Sequence, residues 1–238
     1  VEHNPFDGLP RGTWPSKRSR RGFEARPVSL LEAARLWSSP GIPLWRRAHH
    51  ATVILAGLRP GEALGLQHAD WRRSMHPLSG LRVWRQWSTK RHRFDDTKTE
   101  AERWAPVHPT LAELLREWAD LGWARVFGRA ARADDLLFPR LWRGELRAHH
   151  QPQILTWLKR DLGVVGLEGR RVHDLRHSFL QACQDADVPD QVAMYITHER
   201  GRRRSEDIYR RPNWAWMSKH IARLEAPLYR QPKQLTLL

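Results

Sequence analysis

The segment from Gly80 to Pro109, "GLRVWRQWSTKRHRFDDTKTEAERWAPVHP", constrains the fold more than any other. Its β-branched and aromatic residues alternate in part and are broken by polar turns, which predicts two or three short antiparallel strands. The segments on either side carry helical spacing instead. "SLLEAARLW" opens with Ser29 and Glu32 in capping-box spacing, and a second helix is expected from about Leu44 to Ala56, closed by Gly57. "TLAELLREWADLGW" is amphipathic, with Thr110 and Glu113 as its expected capping box. The stretch "ARADDLLFPRLWRGELRAHH" reads as a loop leading to a helix over "QILTWLKRDLG". From Val172 onward helices dominate, punctuated by Pro189, Gly201 and Pro212, and no internal repeat is present. The expected fold is mainly α with a small antiparallel β-sheet, an α+β class.

The chain is long enough to bury a core as one large domain. The opening "NPFDGLPRGTWPSKRSRRGFEARP" has no helical apolar period and is rich in Pro, Gly and Arg, so residues 1–26 are expected to form an extended arm. There is no apolar run long enough to span a membrane and no signal-peptide pattern, from which a cytoplasmic, nucleoid-associated location is expected. Cys183 is the only cysteine, which excludes an internal disulfide and a cysteine-rich zinc site. The pairs His49-His50 and His149-His150 invite a metal reading, but neighbouring histidines point apart and no carboxylate stands at ligand spacing; no metal and no cofactor is expected. Forty-one Lys and Arg against twenty-six Asp and Glu give a net charge of +15 spread along the chain, so the natural partner is a polyanion. Nucleic acid fits better than an acidic membrane, because no long helix pairs an apolar face with a uniformly basic one.

Two segments concentrate ionisable groups. In "RRVHDLRHSFL", His173 and Arg176 lie three residues apart, on one helix face, while Leu175, Phe179 and Leu180 can turn inward. A guanidinium fork beside an imidazole suits a phosphate, although a solvated helix face has the same pattern. In "ILAGLRPGEALGL", Arg59 precedes a helix begun by Pro60 and Gly61, and Glu62 stands three residues on, placed to hold the guanidinium. An ordinary capped turn with a surface arginine is the plain alternative.

The motifs "LRPGEALGL", "TKTEAERWAPVHP", "HDLRH", "ITHER" and "DIYRR" occur in an order and spacing that resembles the tyrosine recombinases, the phage-integrase family. The likeness covers about Arg26 to Ile221, and "NPFDGLP" is similar to the linker that follows the family's core-binding domain. The resemblance implies an arm or linker at 1–26, a catalytic domain at 27–225 and a tail at 226–238. It carries over Arg59, Lys98, His173, Arg176, His198 and Tyr209 as catalytic residues, with Glu62 and His177 supporting them. The interval from His198 to Tyr209 is longer than the family's usual one and holds the basic insert "ERGRRR", whose Arg202, Arg203 and Arg204 are expected to meet DNA.

What the resemblance implies chemically agrees with the residue types. Two arginines can bracket the non-bridging oxygens of a phosphodiester without a metal, while Tyr209 attacks phosphorus and becomes joined to the 3′ end. Its rivals are weaker: Tyr195 has core-like neighbours in "QVAMYIT", and Tyr229 lies beyond the motifs. The expected activity is site-specific DNA recombination on double-stranded DNA, as a tetramer at full length and a monomer for this fragment. The alternatives are type IB topoisomerase-like strand relaxation and a DNA-binding protein with a degenerate site.

Overall fold

The structure is a computed structural model and describes residues 26–88, 90–96, 102–170, 172–197 and 212–229. Helix α1 (Leu30–Ser38) begins with the expected capping box: Ser29 Oγ accepts from the Glu32 backbone N–H at 3.2 Å, and Glu32 Oε2 accepts from that of Ser29 at 3.0 Å. The helix α2 (Leu44–Leu55) lies at the centre, packed by α1, by α4 (Pro109–Arg116) and by α7 (Val172–Asp185). Its residues from Ala48 to Leu55 are all buried, as a helix enclosed on every side requires. The core joins Leu36 and Trp37 of α1, Ile54 and Leu55 of α2, Leu111, Leu114 and Leu115 of α4, and Leu175 and Phe179 of α7. Cys183, also on α7, is buried there, and burial pushes its thiol up to about 12.

The fold class is as expected, but among the described residues the strands form three small antiparallel sheets where one was anticipated. Strands β1 (Trp71–Arg72), β2 (Gly80–Val83) and β5 (Arg103–Pro106) make the first, with Leu81 opposite Ala105 and Val83 opposite Arg103. Strands β3 (Arg85–Ser88) and β4 (Arg93–Asp96) leave that sheet and form a hairpin against the short helix α3 (Pro60–Gly65). Gly61 and Gly65, one turn apart on α3, make that approach possible. A Cβ at Gly61 would meet the Trp87 carbonyl oxygen at 3.0 Å, and one at Gly65 the Arg85 carbonyl oxygen at 3.1 Å.

Two further expectations need correction. The stretch read as a loop contains a hairpin of β6 (Pro139–Trp142) and β7 (Glu145–Ala148), closed by the two residues Arg143 and Gly144, both at positive φ. The proposed capping box of Thr110 and Glu113 does not form. Helix α4 starts at Pro109, His108 is its cap, with Nδ1 accepting from the Thr110 N–H at 3.2 Å, and the Thr110 hydroxyl donates to the Ala226 carbonyl. After α4 the chain passes through a π-helical turn (Glu117–Gly122) into α5 (Trp123–Phe127).

Beyond the hairpins follow α6 (Gln151–Val164), α7, α8 (Asp190–Thr197) and α9 (Trp214–Ile221). The paired histidines diverge in both cases. His50 donates to Asp161 at 2.8 Å while His49 packs edge-on against Phe138, and His149 stacks on Trp45 while His150 accepts from Arg140. Among the described residues no helix is long and apolar enough to cross a membrane.

Candidate active site

The turn between α2 and α3 together with the first turn of α3, from Gly57 to Glu62, is the centre of the site. Gly57 takes φ +59°, and a Cβ there would lie 2.6 Å from Phe179 Cδ1. Glycine is therefore required twice, for the left-handed backbone and for the close approach of α7. Phe179 stands one helical turn after Arg176, so the contact that seats Phe179 on the turn also delivers Arg176 to it. Arg176 is buried; its Nη1 donates to the Gly57 carbonyl at 3.0 Å, and its Nη2 donates to the Thr197 carbonyl.

Arg59 is the residue before α3, as the sequence suggested, and Glu62 is its partner. The Glu62 carboxylate accepts from the Arg59 backbone N–H at 2.8 Å and from Arg59 Nη1 at 3.1 Å. The Glu62 side chain is only 1% exposed, whereas that of Arg59 is 31% exposed, so the arginine faces solvent and the acid supports it from beneath.

Sequence reading missed the residue that completes this arrangement. Arg103 of β5, fully buried, grips the same carboxylate with both arms, Nη1 to Oε1 at 3.2 Å and Nη2 to Oε2 at 2.6 Å. Its Nε donates to the Ile196 carbonyl at 2.6 Å. Burial would raise the Glu62 carboxyl, but the charge and hydrogen bonds of Arg103, joined by those of Arg59, outweigh it and hold the acid below its ordinary value. The signal was the phase of β5: Arg103 shares a strand face with Ala105 and Val107, both buried, so period two turns it inward. Because Arg103 and Arg176 take the carbonyls of Ile196 and Thr197, they satisfy acceptors at the C-terminal end of α8 that the helix leaves unpaired.

Arg59, Glu62 and Arg176 thus meet at one turn, and two elements distant in sequence, β5 and α8, are tied to it. The backbone of His173 lies on α7 three residues before Arg176, and His177 is half-buried on the same helix. The His173 side chain, Lys98, His198, Arg202, Arg203, Arg204 and Tyr209 lie outside the described residues. Of the rival tyrosines, Tyr195 is half-buried on α8 against the core and Tyr229 is exposed.

No family model matches the chain, and no curated protein matches it in sequence. Solved structures similar in fold include three integrases and recombinases. An integrase from mycobacterium phage Brujita superposes with a TM-score of 0.59 at 19% identity, covering 88% of this chain and 61% of that one. The XerH site-specific recombinase, bound to palindromic difH substrate in a post-cleavage complex, gives 0.53 at 18% identity over 74% of this chain and 46% of its own. The Tn1549 transposon integrase, in complex with a circular intermediate DNA, gives 0.53 at 14% identity over 74% and 58%. The chain therefore has the tyrosine recombinase catalytic-domain fold and spans about half to three fifths of the length of these neighbours.

Proposed function

We propose that residues 27–225 are the catalytic domain of a site-specific DNA recombinase or integrase, which cleaves and rejoins double-stranded DNA through a covalent 3′-phosphotyrosyl intermediate. The observation that carries this reading is the meeting of Arg59 and Arg176 at the Gly57–Glu62 turn, the partly exposed guanidinium held by a buried, ionised Glu62. Such a pair stabilises the extra charge on the non-bridging oxygens of a pentavalent phosphorus. The Tyr209 oxygen attacks phosphorus as His173 takes the phenol proton, and the bond from phosphorus to the 5′ oxygen breaks as Lys98 supplies a proton to the leaving oxygen. His198 adds a hydrogen bond to the phosphate, and Arg202, Arg203 and Arg204 hold the DNA backbone. The reverse reaction with another 5′ hydroxyl rejoins strands, because the phosphotyrosyl bond conserves the phosphoester energy. The full-length protein would act as a tetramer on DNA and this fragment as a monomer; the XerH and Tn1549 proteins were both captured with DNA.

The test is a nicked suicide duplex resolved on a denaturing gel. The native chain is expected to form a covalent adduct, and Tyr209→Phe to lose it while still binding DNA, since only the attacking oxygen is removed. Adduct retained by Tyr209→Phe and lost by Tyr195→Phe would reassign the nucleophile.

A further inference from the structure

A second cluster of basic side chains lies away from the Gly57–Glu62 turn. A cavity of about 480 Å³ opens between the β3–β4 and β6–β7 hairpins, with Arg85, His92, Arg140 and His150 in its wall. Both arginines are fixed by main-chain carbonyls. Arg85 Nε donates to Gly65 at the end of α3 at 2.7 Å, and Arg140 Nε donates to Ala148 at 3.1 Å. Arg140 Nη2 also donates to His150 Nε2 at 3.1 Å, and the rings of His92 and His150 meet edge-on at 5.4 Å. The Arg85 guanidinium lies 4.5 Å from the Phe94 ring centre and 5.0 Å from that of Trp84.

Neither Arg85 nor Arg140 forms a salt bridge among the described residues, although Asp70 lies near enough to Arg85 to act on its charge, and Arg85 Nη2 is buried with no hydrogen-bond acceptor among them. The other charges of the wall are settled or open to water. Asp135 is paired by Arg129 at 2.6 Å, Arg147 by Glu145 at 2.7 Å, and Asp134 is exposed. Burial, with Arg140 and His92 alongside, lowers His150, as a surplus of positive charge would. Two oriented guanidiniums, Arg140 with no carboxylate in contact and Arg85 lowered by burial with only the more distant charge of Asp70 to offset it, match an oxyanion with several acceptor oxygens.

We infer that this cavity seats a second backbone phosphate of bound DNA, held jointly by Arg85 and Arg140, apart from the phosphate at Arg59. The inference rests on the DNA-binding part of the proposed function. Arg59 precedes α3 and Arg85 is anchored to its last residue, so the two sites stand at opposite ends of one six-residue helix. That helix is about 9 Å long. Phosphates of one strand follow at about 3.4 Å along the axis, so one strand can reach both sites.

The test is equilibrium binding of the full chain to an intact duplex, by fluorescence anisotropy across a salt series. Arg85→Ala and Arg140→Ala are each expected to weaken binding about tenfold. Each should also reduce the slope of log affinity on log salt by about one phosphate. Because both arginines serve one phosphate, the double variant should lose no more slope than either single variant. Arg140→Lys should keep the slope while losing part of the affinity, which also guards against a misfolded alanine variant. Arg147→Ala, whose charge is already engaged, should change the slope little. Unchanged slopes, or a double variant that loses twice as much, would overturn the shared seat, as would failure to bind duplex at all. An intact duplex needs no bond breakage. Binding with this signature but no covalent adduct overturns the proposed chemistry alone, and adduct formation with unchanged slopes overturns the seat alone.

Discussion

Arg103 shows how a fully buried residue can tie separate elements to the Gly57–Glu62 turn. It is the first residue of β5, distant in sequence from both partners, yet it shares the Glu62 carboxylate with Arg59 and holds the end of α8 by the Ile196 carbonyl. Arg103→Ala is expected to cost about 3–5 kcal/mol, because it leaves a buried carboxylate short of its main partner. Replacing both partners, Arg103→Met with Glu62→Leu, should restore much of that stability, since a buried pair removed together leaves no orphaned charge. The double variant should still fail to form a covalent adduct, because Arg59 loses the acid that orients it. Urea unfolding and the suicide-substrate assay separate the two effects; adduct formation by the double variant would show that Glu62 does not position Arg59. At this scale the contact of Arg59 with Glu62 and the placement of Arg176 on α7 were legible in the sequence, because they stand in compact local motifs. The sequence concealed Arg103, whose partners lie 41 and 93 residues away.

Among elements, the helices were more legible than the strands, for a physical reason. A helix is written in local spacing and caps, and α1 and α2 begin and end close to where Ser29, Glu32 and Gly57 direct. Strands depend on partners, and β3–β4 packs closely on α3 where two glycines leave the helix face bare. The β6–β7 hairpin was missed because its turn is Arg143-Gly144 rather than the Asn-Gly or Asp-Gly that signals such a loop. Arg143 carries φ +50°, a conformation that asparagine adopts at lower cost. Arg143→Asn should therefore stabilise the protein by about 0.5–1 kcal/mol, seen as a higher midpoint in thermal unfolding. A lower midpoint would mean that the stacking of Arg143 on Trp142, at 5.8 Å, contributes more than the strained turn costs.

Across the whole molecule, the basic composition is less informative about stability than its buried histidines. Burial holds His149 down to about 4 and His49 well below its ordinary value, so both are neutral when folded. Their folded values lie below the unfolded one of about 6.5, so the unfolded chain binds the extra protons first as the solution is acidified. Stability should be fully present above about pH 6.5 and fall progressively below it, by about 2 kcal/mol at pH 5 for His149 alone. The lowered carboxyl of Glu62 acts in the same direction at lower pH, from the ordinary carboxylate value downward. His149→Phe keeps a ring against Trp45 and Trp157 but cannot titrate, so it should flatten the fall between pH 7 and pH 5 in urea unfolding. An unchanged fall would place the acid sensitivity elsewhere. Cys183 has a practical consequence of a different kind. It is the sole thiol of the chain, it is sealed in the core, and its reactive thiolate form is suppressed. The folded protein is therefore expected to react little with maleimide dyes and spin labels. A cysteine introduced at either hairpin tip would be the single labelling point, and the distance from each tip to a labelled duplex could be read without first stripping the protein of its own sulfur.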